Sequence, residues 1–266
     1  MKKSRSLRSM IIFLAVVLVI PILCFSLYLQ AQTWKIMKHN LQRELSGELN
    51  TADHILQMIV DKYDMVLYDF CTDDAMIELV EDINESEKPS DALKYQIRRN
   101  LAHICNRNEG VEGITLITES GQVCFYDKRA ASFVSTKWAN RISVSDIQDQ
   151  MALYRGSSEV IGEAEHPVHM FQMVRRLADY RNINRRIGTV ILSVDQSVLW
   201  KEIQVSAQSS VYVCESGQII AAADTKQIGS SILSKPQRGY RVLQTKNKKT
   251  GWDVYHFYET AQFEQM

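Results

Sequence analysis

Residues 10–29, MIIFLAVVLVIPILCFSLYL, run for twenty positions without a charge, and a helix of that length rises about 30 Å, the thickness of a bilayer's hydrocarbon core. This segment constrains everything that follows it. Lys2, Lys3, Arg5 and Arg8 precede it with no acidic residue among them, so the positive-inside rule places residues 1–9 in the cytoplasm and the chain after Gln30 on the outer side. The apolar run exceeds that of a signal peptide, and Leu29 is bulky for a position that cleavage requires to be small; an uncleaved anchor is expected. Pro21 within it is tolerated in lipid. The longest later apolar stretch, TVILSV at 189–194, has only the length of a strand.

Four of the 31 basic residues lie in the N-terminal tail, which leaves 27 against 31 acidic ones in the rest. A mildly acidic body lacks the dense basic face that nucleic acid requires, and that class is excluded. Of five cysteines, Cys24 is in the span, and Cys71, Cys105, Cys124 and Cys214 show no C-x-x-C spacing; they read as small buried hydrophobes. The segment GEAEHPVHM (162–170) brings His166 and His169 close in sequence. Pro167 excludes a helix, however, and strand residues three apart point to opposite faces, so no metal is expected. There is no phosphate-cradling glycine loop, no G-x-S-x-G elbow and no H-E-x-x-H. The expectation is a chain without catalytic machinery and without a cofactor.

From 32 to 70 there is no proline, and Leu41, Leu45, Leu49, Ala52, Ile55, Ile59, Tyr63, Val66 and Phe70 recur at helical spacing. These residues predict a helix about 58 Å long, suited to be the stalk of a homodimer. Asp73 and Asp74 open a short helix through Asp82, 84–91 is a polar break, and a third helix covers 92–106. Strand character begins at Gly113. The peptides ITLITESGQVCFYD (114–127) and SVYVCESGQIIAAAD (210–224) share the turn ESGQ between apolar runs, which predicts two hairpins with Gly121 and Gly217 at positive φ. Between them a short helix is expected near 146–154 and strands near 159–164, 168–177 and 186–195. Asp195 is placed to cap a following helix. Arg175, Arg176, Arg181, Arg185 and Arg186 read as a solvated rim. In the last strand Trp252, Val254, His256 and Tyr258 alternate with Asp253, Tyr255 and Phe257.

The fold class is therefore α+β, with two related antiparallel modules behind a long helix. The predicted boundaries are a basic tail (1–9), a transmembrane helix (10–30), a stalk helix with a short helix (31–83), a membrane-distal module (84–204), a membrane-proximal module (205–260) and a tail (261–266). The long helix after a single span, RIGTVILSVDQSVLWKEI (186–203), ESGQIIAAADTKQIGSSI (215–232) and TGWDVYHFYE (250–259) together resemble the tandem Cache sensor. This is the double PAS-like domain of bacterial receptors, most similar here to the extracytoplasmic half of sensor histidine kinases. The resemblance covers roughly residues 32–260.

It implies the ligand-sensing input region of a membrane signal-transduction receptor, with a second membrane helix and an output domain beyond Met266. Its partner would be a small-molecule solute or an extracytoplasmic binding protein. The alternative is a membrane-anchored binding or scaffold protein with the same fold and no signalling output. Relatives that bind amino acids carry Arg-x-Trp-Tyr and a later Asp; here Trp138 matches, while Thr136 and Ala139 stand at the other two places. The ligand-binding residues the resemblance then points to are Tyr126, Trp138, Arg141 and Asp179. The aromatics would supply contact area, and Arg141 and Asp179 would hold charged ligand ends.

Overall fold

The computed structural model describes residues 2–128, 152–161, 168–179, 185–203, 209–234 and 239–260. Helix α1 (Lys2–Cys71) runs unbroken through Pro21, so the predicted membrane and stalk helices are one element. Met1–Glu48 belongs to one compact unit and Leu49–Ala261 to another. In the first, the apolar stretch of α1 is long enough to cross a membrane, and Leu18, Ile22, Phe25 and Leu27 are exposed. A helix with so much uncovered apolar surface is stable in lipid rather than in water.

In the second unit, α2 (Asp74–Glu85) starts where the sequence indicates, the Asp73 carboxylate accepting from the Met76 N–H at 2.9 Å. Helix α3 (Asp91–Arg107) is capped by Ser90 in the same way; such caps satisfy amides the first turn leaves without partners. A five-stranded antiparallel sheet follows, made of β1 (Val111–Thr118), β2 (Val123–Asp127), β3 (Ala152–Ile161), β4 (Val168–Ala178) and β5 (Arg186–Asp195), in the order β2-β1-β5-β4-β3. The helix predicted near 146–154 is corrected from Ala152 onward: this stretch is strand, with Tyr154 opposite Met173. Pairing along β4 overrides the weak helical preference of so short a segment. Residues 146–151 lie outside the described residues.

Helix α4 (Ser197–Glu202) leads away from β5, and the Asp195 carboxylate accepts from the Ser197 N–H at 2.8 Å. The second sheet comprises β6 (Ser209–Glu215), β7 (Gln218–Ala222), β8 (Tyr240–Lys246) and β9 (Asp253–Glu259), ordered β7-β6-β9-β8. Each sheet thus puts its first hairpin at one edge and its last strand beside that hairpin. The first sheet has one strand more, β3. Two modules on one plan are what the repeated ESGQ suggested.

The two ESGQ turns nevertheless differ. The second is a two-residue loop with Ser216 at φ 51° and Gly217 at φ 80°, closing the pair Glu215–Gln218. In the first only Gly121 is at positive φ, 81°, and the Thr118 N–H donates to the Gln122 carbonyl at 2.9 Å, a loop of three residues.

One apolar core joins the modules. It takes Leu49, Leu56, Val60, Tyr63 and Leu67 from α1, Ile97 and Leu101 from α3, one face of the first sheet, and Val211, Val213, Ile220 and Val254 from the second. At its centre the Phe171 ring stands edge-on between Tyr63 and Trp252, with centroids 6.4 and 5.8 Å away, the favoured aromatic geometry. Of the predicted alternation in β9, Trp252, Val254, His256 and Tyr258 are all buried as expected, while Phe257 of the opposite set is buried as well, in a second cluster with Tyr212.

Truncating Phe171 to Ala removes both ring contacts and is expected to cost about 3–5 kcal/mol, read from the urea unfolding midpoint. Burial pushes the thiols of Cys71 and Cys105 up to about 12 from 9.0, and burial, then the charges of Glu109 and Asp195, push the Tyr63 phenol from 10.0 up to about 12. Folded-state pKa values above the unfolded ones mean that the protonated groups stabilise the fold fully below the unfolded values. Stability is therefore expected to fall as pH rises from 9 toward 12, which a denaturation series across that range measures.

Candidate functional site

Side chains alternate across a strand, so register assigns every residue of the first sheet to one of two faces. Ile114, Leu116, Val190, Leu192, Phe171 and Met173 point into the core shared with the helices. On the other face the pairings align three rows: Ile117, Thr189 and Arg176; Thr115, Ile191 and Val174; Gly113, Ser193 and Gln172. Val174 and Ile191, with Ile117, form an apolar cluster separate from the main core. Around it stand polar side chains: Thr189 is 1% exposed, Gln172 4% and Ser193 8%.

Polar groups so buried are nearly always hydrogen-bonded, because losing water without a replacement costs about 1–3 kcal/mol. Thr189 Oγ1 and Gln172 Nε2 meet no hydrogen-bond partner among the described residues. The face therefore offers a hydroxyl and an amide, held on adjacent central strands and shielded from water, beside an apolar patch and the Arg176 guanidinium. That set suits a small molecule with both apolar and polar parts.

Gly188 keeps this end of the sheet tight on the helix-packed side: a Cβ there would meet the Ile117 carbonyl oxygen at 2.9 Å and Leu116 Cδ1 at 3.4 Å. Asn84 of α2 fastens the same end, its Nδ2 donating to the Ile187 carbonyl and its Oδ1 accepting from the Ser120 N–H, both at 2.8 Å.

Of the four residues expected at the ligand, Trp138 and Arg141 lie outside the described residues. Tyr126 is paired with Ile114 and lies on the helix-packed face, where its hydroxyl meets the Asn106 side-chain amide on α3 at 3.2 Å. Asp179 is buried just past the end of β4, and its N–H donates to the Arg185 carbonyl at 3.2 Å. The solvated rim expected of the arginine run fits the half-exposed Arg185 but not Arg175 or Arg186. Arg175 faces α1 with its side chain 15% exposed and bonds to Asp64, Arg176 takes the opposite face, and Arg185 and Arg186 pair with Glu81 and Glu119; Arg181 is outside the described residues. Thr189, Ser193 and Gln172 were not singled out by sequence. Their signal was there, in polar residues four apart on a strand, hence on one face.

A second concavity of about 390 Å³ lies between α1, Glu109 and α4, floored by Ile55, Ile59 and Val198. Its Lys201 is engaged with Glu109 at 2.7 Å. No group of three metal-ligating side chains gathers among the described residues.

No family model and no curated protein sequence matches the chain. Solved structures do. The sensor domain of the V. cholerae histidine kinase DctB aligns with a TM-score of 0.59 at 9% identity, over 83% of this chain and 98% of that one. The ligand-binding domain of the Campylobacter jejuni chemoreceptor Tlp3, in complex with L-valine, aligns with a TM-score of 0.59 at 8% identity, over 87% and 97%. That of the Pseudomonas fluorescens chemoreceptor CtaA, in complex with L-serine, aligns with a TM-score of 0.54 at 11% identity, over 84% and 99%. The fold is that of extracytoplasmic Cache-type sensor domains, as the resemblance in sequence implied. These are sensor and ligand-binding domains, not catalytic ones.

Thr189→Val keeps shape and removes the hydroxyl. With no ligand present the variant is expected to be as stable as the parent or more stable by about 1 kcal/mol; urea denaturation checks this, and a loss of stability would reveal a partner for the hydroxyl.

Proposed function

We propose that the chain is the ligand-sensing input region of a membrane receptor of the two-component histidine kinase type, anchored by the apolar stretch of α1 with its N-terminus in the cytoplasm. The observation that carries this reading is the polar face of the first sheet, with Thr189 and Gln172 buried and unsatisfied among the described residues. A core built only for stability would place apolar side chains at both positions.

The ligand is a small solute whose polar groups pair with Thr189, Gln172 and Arg176 and whose apolar part rests on Ile191 and Val174. Trp138 and Arg141 fall in the connection from β2 to β3, the two edge strands of this sheet. They remain proposed ligand contacts, Trp138 over the apolar part and Arg141 on a charged end. Asp179 is proposed for the opposite charge and Tyr126 for support from the helix side. Receptor dimerisation is assigned to α1, whose outer surface leaves Met58, Met65 and Tyr68 exposed. A ligand signals by binding one of two states of this assembly more tightly than the other.

The test is a thermal-shift screen of the purified chain in detergent against amino acids, small carboxylates and amines. At least one compound is expected to raise the melting temperature saturably, and Gln172→Ala or Arg141→Ala to weaken its binding tenfold or more without changing the far-UV circular dichroism. Binding that is indifferent to both substitutions would place the ligand elsewhere.

A further inference from the structure

Asp64 stands on α1 where both modules reach the helix. Its Oδ1 accepts from Arg175 Nη1 at 3.2 Å and its Oδ2 from Lys249 Nζ at 2.8 Å. Arg175 belongs to β4 of the first sheet, and Lys249 to the turn between β8 and β9 of the second. The three side chains are only 15%, 21% and 26% exposed, so water and salt weaken the contacts less than on an open surface. Each cation has further support: the Arg175 guanidinium lies 5.1 Å from the Tyr68 ring centroid, and Lys249 also donates to Asp61 at 2.6 Å.

The turn is itself a stiff body. Asn247 Oδ1 accepts from the N–H groups of Lys249 and Thr250 at 3.2 and 3.0 Å, and Asn247 Nδ2 donates to Asp53 on α1 at 2.9 Å. On β4, Gln172 and Arg176 face the candidate ligand site while Phe171 and Arg175 face α1 and the turn. One strand carries both sets, so a displacement of the first moves the second. Two routes leave β4 for residues 247–252: the ring contact of Phe171 with Trp252, and the ionic bridge through Asp64. Only the second depends on charge.

We propose that Asp64 is the positioning residue that couples β4 to the β8–β9 turn, passing a change at the ligand face of the first module to the sheet of the second. The idea rests on the sensor reading for what displaces β4, but its test needs no ligand. Hydrogen exchange is followed by mass spectrometry on the full chain in detergent, for the parent, Arg175→Gln, Asp64→Asn and the double variant, with Lys249→Gln as a control that loosens the turn directly. Arg175→Gln, which leaves the turn's own residues intact, is expected to change exchange within 247–252 by threefold or more. The same substitution in the Asp64→Asn background is expected to add nothing, because the bridge is already cut.

Unchanged exchange at 247–252 in Arg175→Gln, while Lys249→Gln raises it, overturns the proposal. So does an Arg175 effect of equal size with and without Asp64, which would assign the coupling to the aromatic route. Unchanged exchange in α3 verifies that each variant is folded, and Arg175→Met, which keeps an apolar stem and removes the charge, substitutes should Arg175→Gln fail that control. Either negative result leaves the ligand face untested by this experiment and the sensor reading intact.

Discussion

One stripe of α1 has to be buried by two sheets at once. Leu49, Ala52, Leu56, Val60, Tyr63, Leu67 and Phe70 are spaced three or four apart and all are buried, and neither module alone supplies the cover. The first sheet brings Phe171 and Arg175, and the second brings Trp252 and Lys249. Both reach the same stretch of helix and also touch each other directly, through Phe171 and Trp252 and between β3 and the β6–β7 hairpin, so their relative placement is set by the helix and the sheet-to-sheet contact together. Each contact is modest alone: an edge-to-face ring pair contributes about 0.5–1.5 kcal/mol beyond its buried area. Their placement on a common rigid rod makes them act together.

The first sheet is built with two unlike faces. Toward the helices it is mainly apolar, Arg175 and Thr118 excepted, which supplies the stability. Away from them Thr189, Ser193 and Gln172 interrupt the apolar surface, which supplies the chemistry. Polar side chains buried without protein partners are a standing cost, and the apolar face opposite offsets it. Arg176 completes the set, since a guanidinium provides a directed, charge-assisted bond that a hydroxyl cannot.

Much of the architecture could be read from the chain. Helix spacing located α1, the cap at Asp73 fell where expected, Asp195 bonds the first turn of α4 from one residue before its N-cap Gln196, and the alternation from Trp252 to Tyr258 located β9 but not the burial of Phe257 on its other side. The stripe itself was read one residue out: Leu56, Val60 and Leu67 are buried where Ile55 and Val66 had been expected, and those two are half-buried. Only contact with the sheets decides between adjacent positions on a helix. The strand at Ala152 was missed because its identity comes from β4, where the partners of Ala152, Leu153 and Tyr154 are Arg175, Val174 and Met173, far away in sequence. ESGQ shows the same limit in miniature, since identical letters close a two-residue loop in one hairpin and a three-residue loop in the other according to the register of the flanking strands. For the candidate ligand face, TVILSV reads as a uniformly buried strand until one knows that, among the described residues, the helices pack on one side of it. Thr189 and Ser193 then separate from Val190 and Leu192.

The second sheet stops one strand short of the first, and its edge strand β8 has consequences for crowding. Arg241, Val242 and Lys246 on it are exposed, and an edge strand is a template on which another strand can add. Two such edges brought together antiparallel would set cationic side chains against each other across a gap of about 5 Å. Like charges facing each other in that register disfavour a copy of the same chain as a fifth strand.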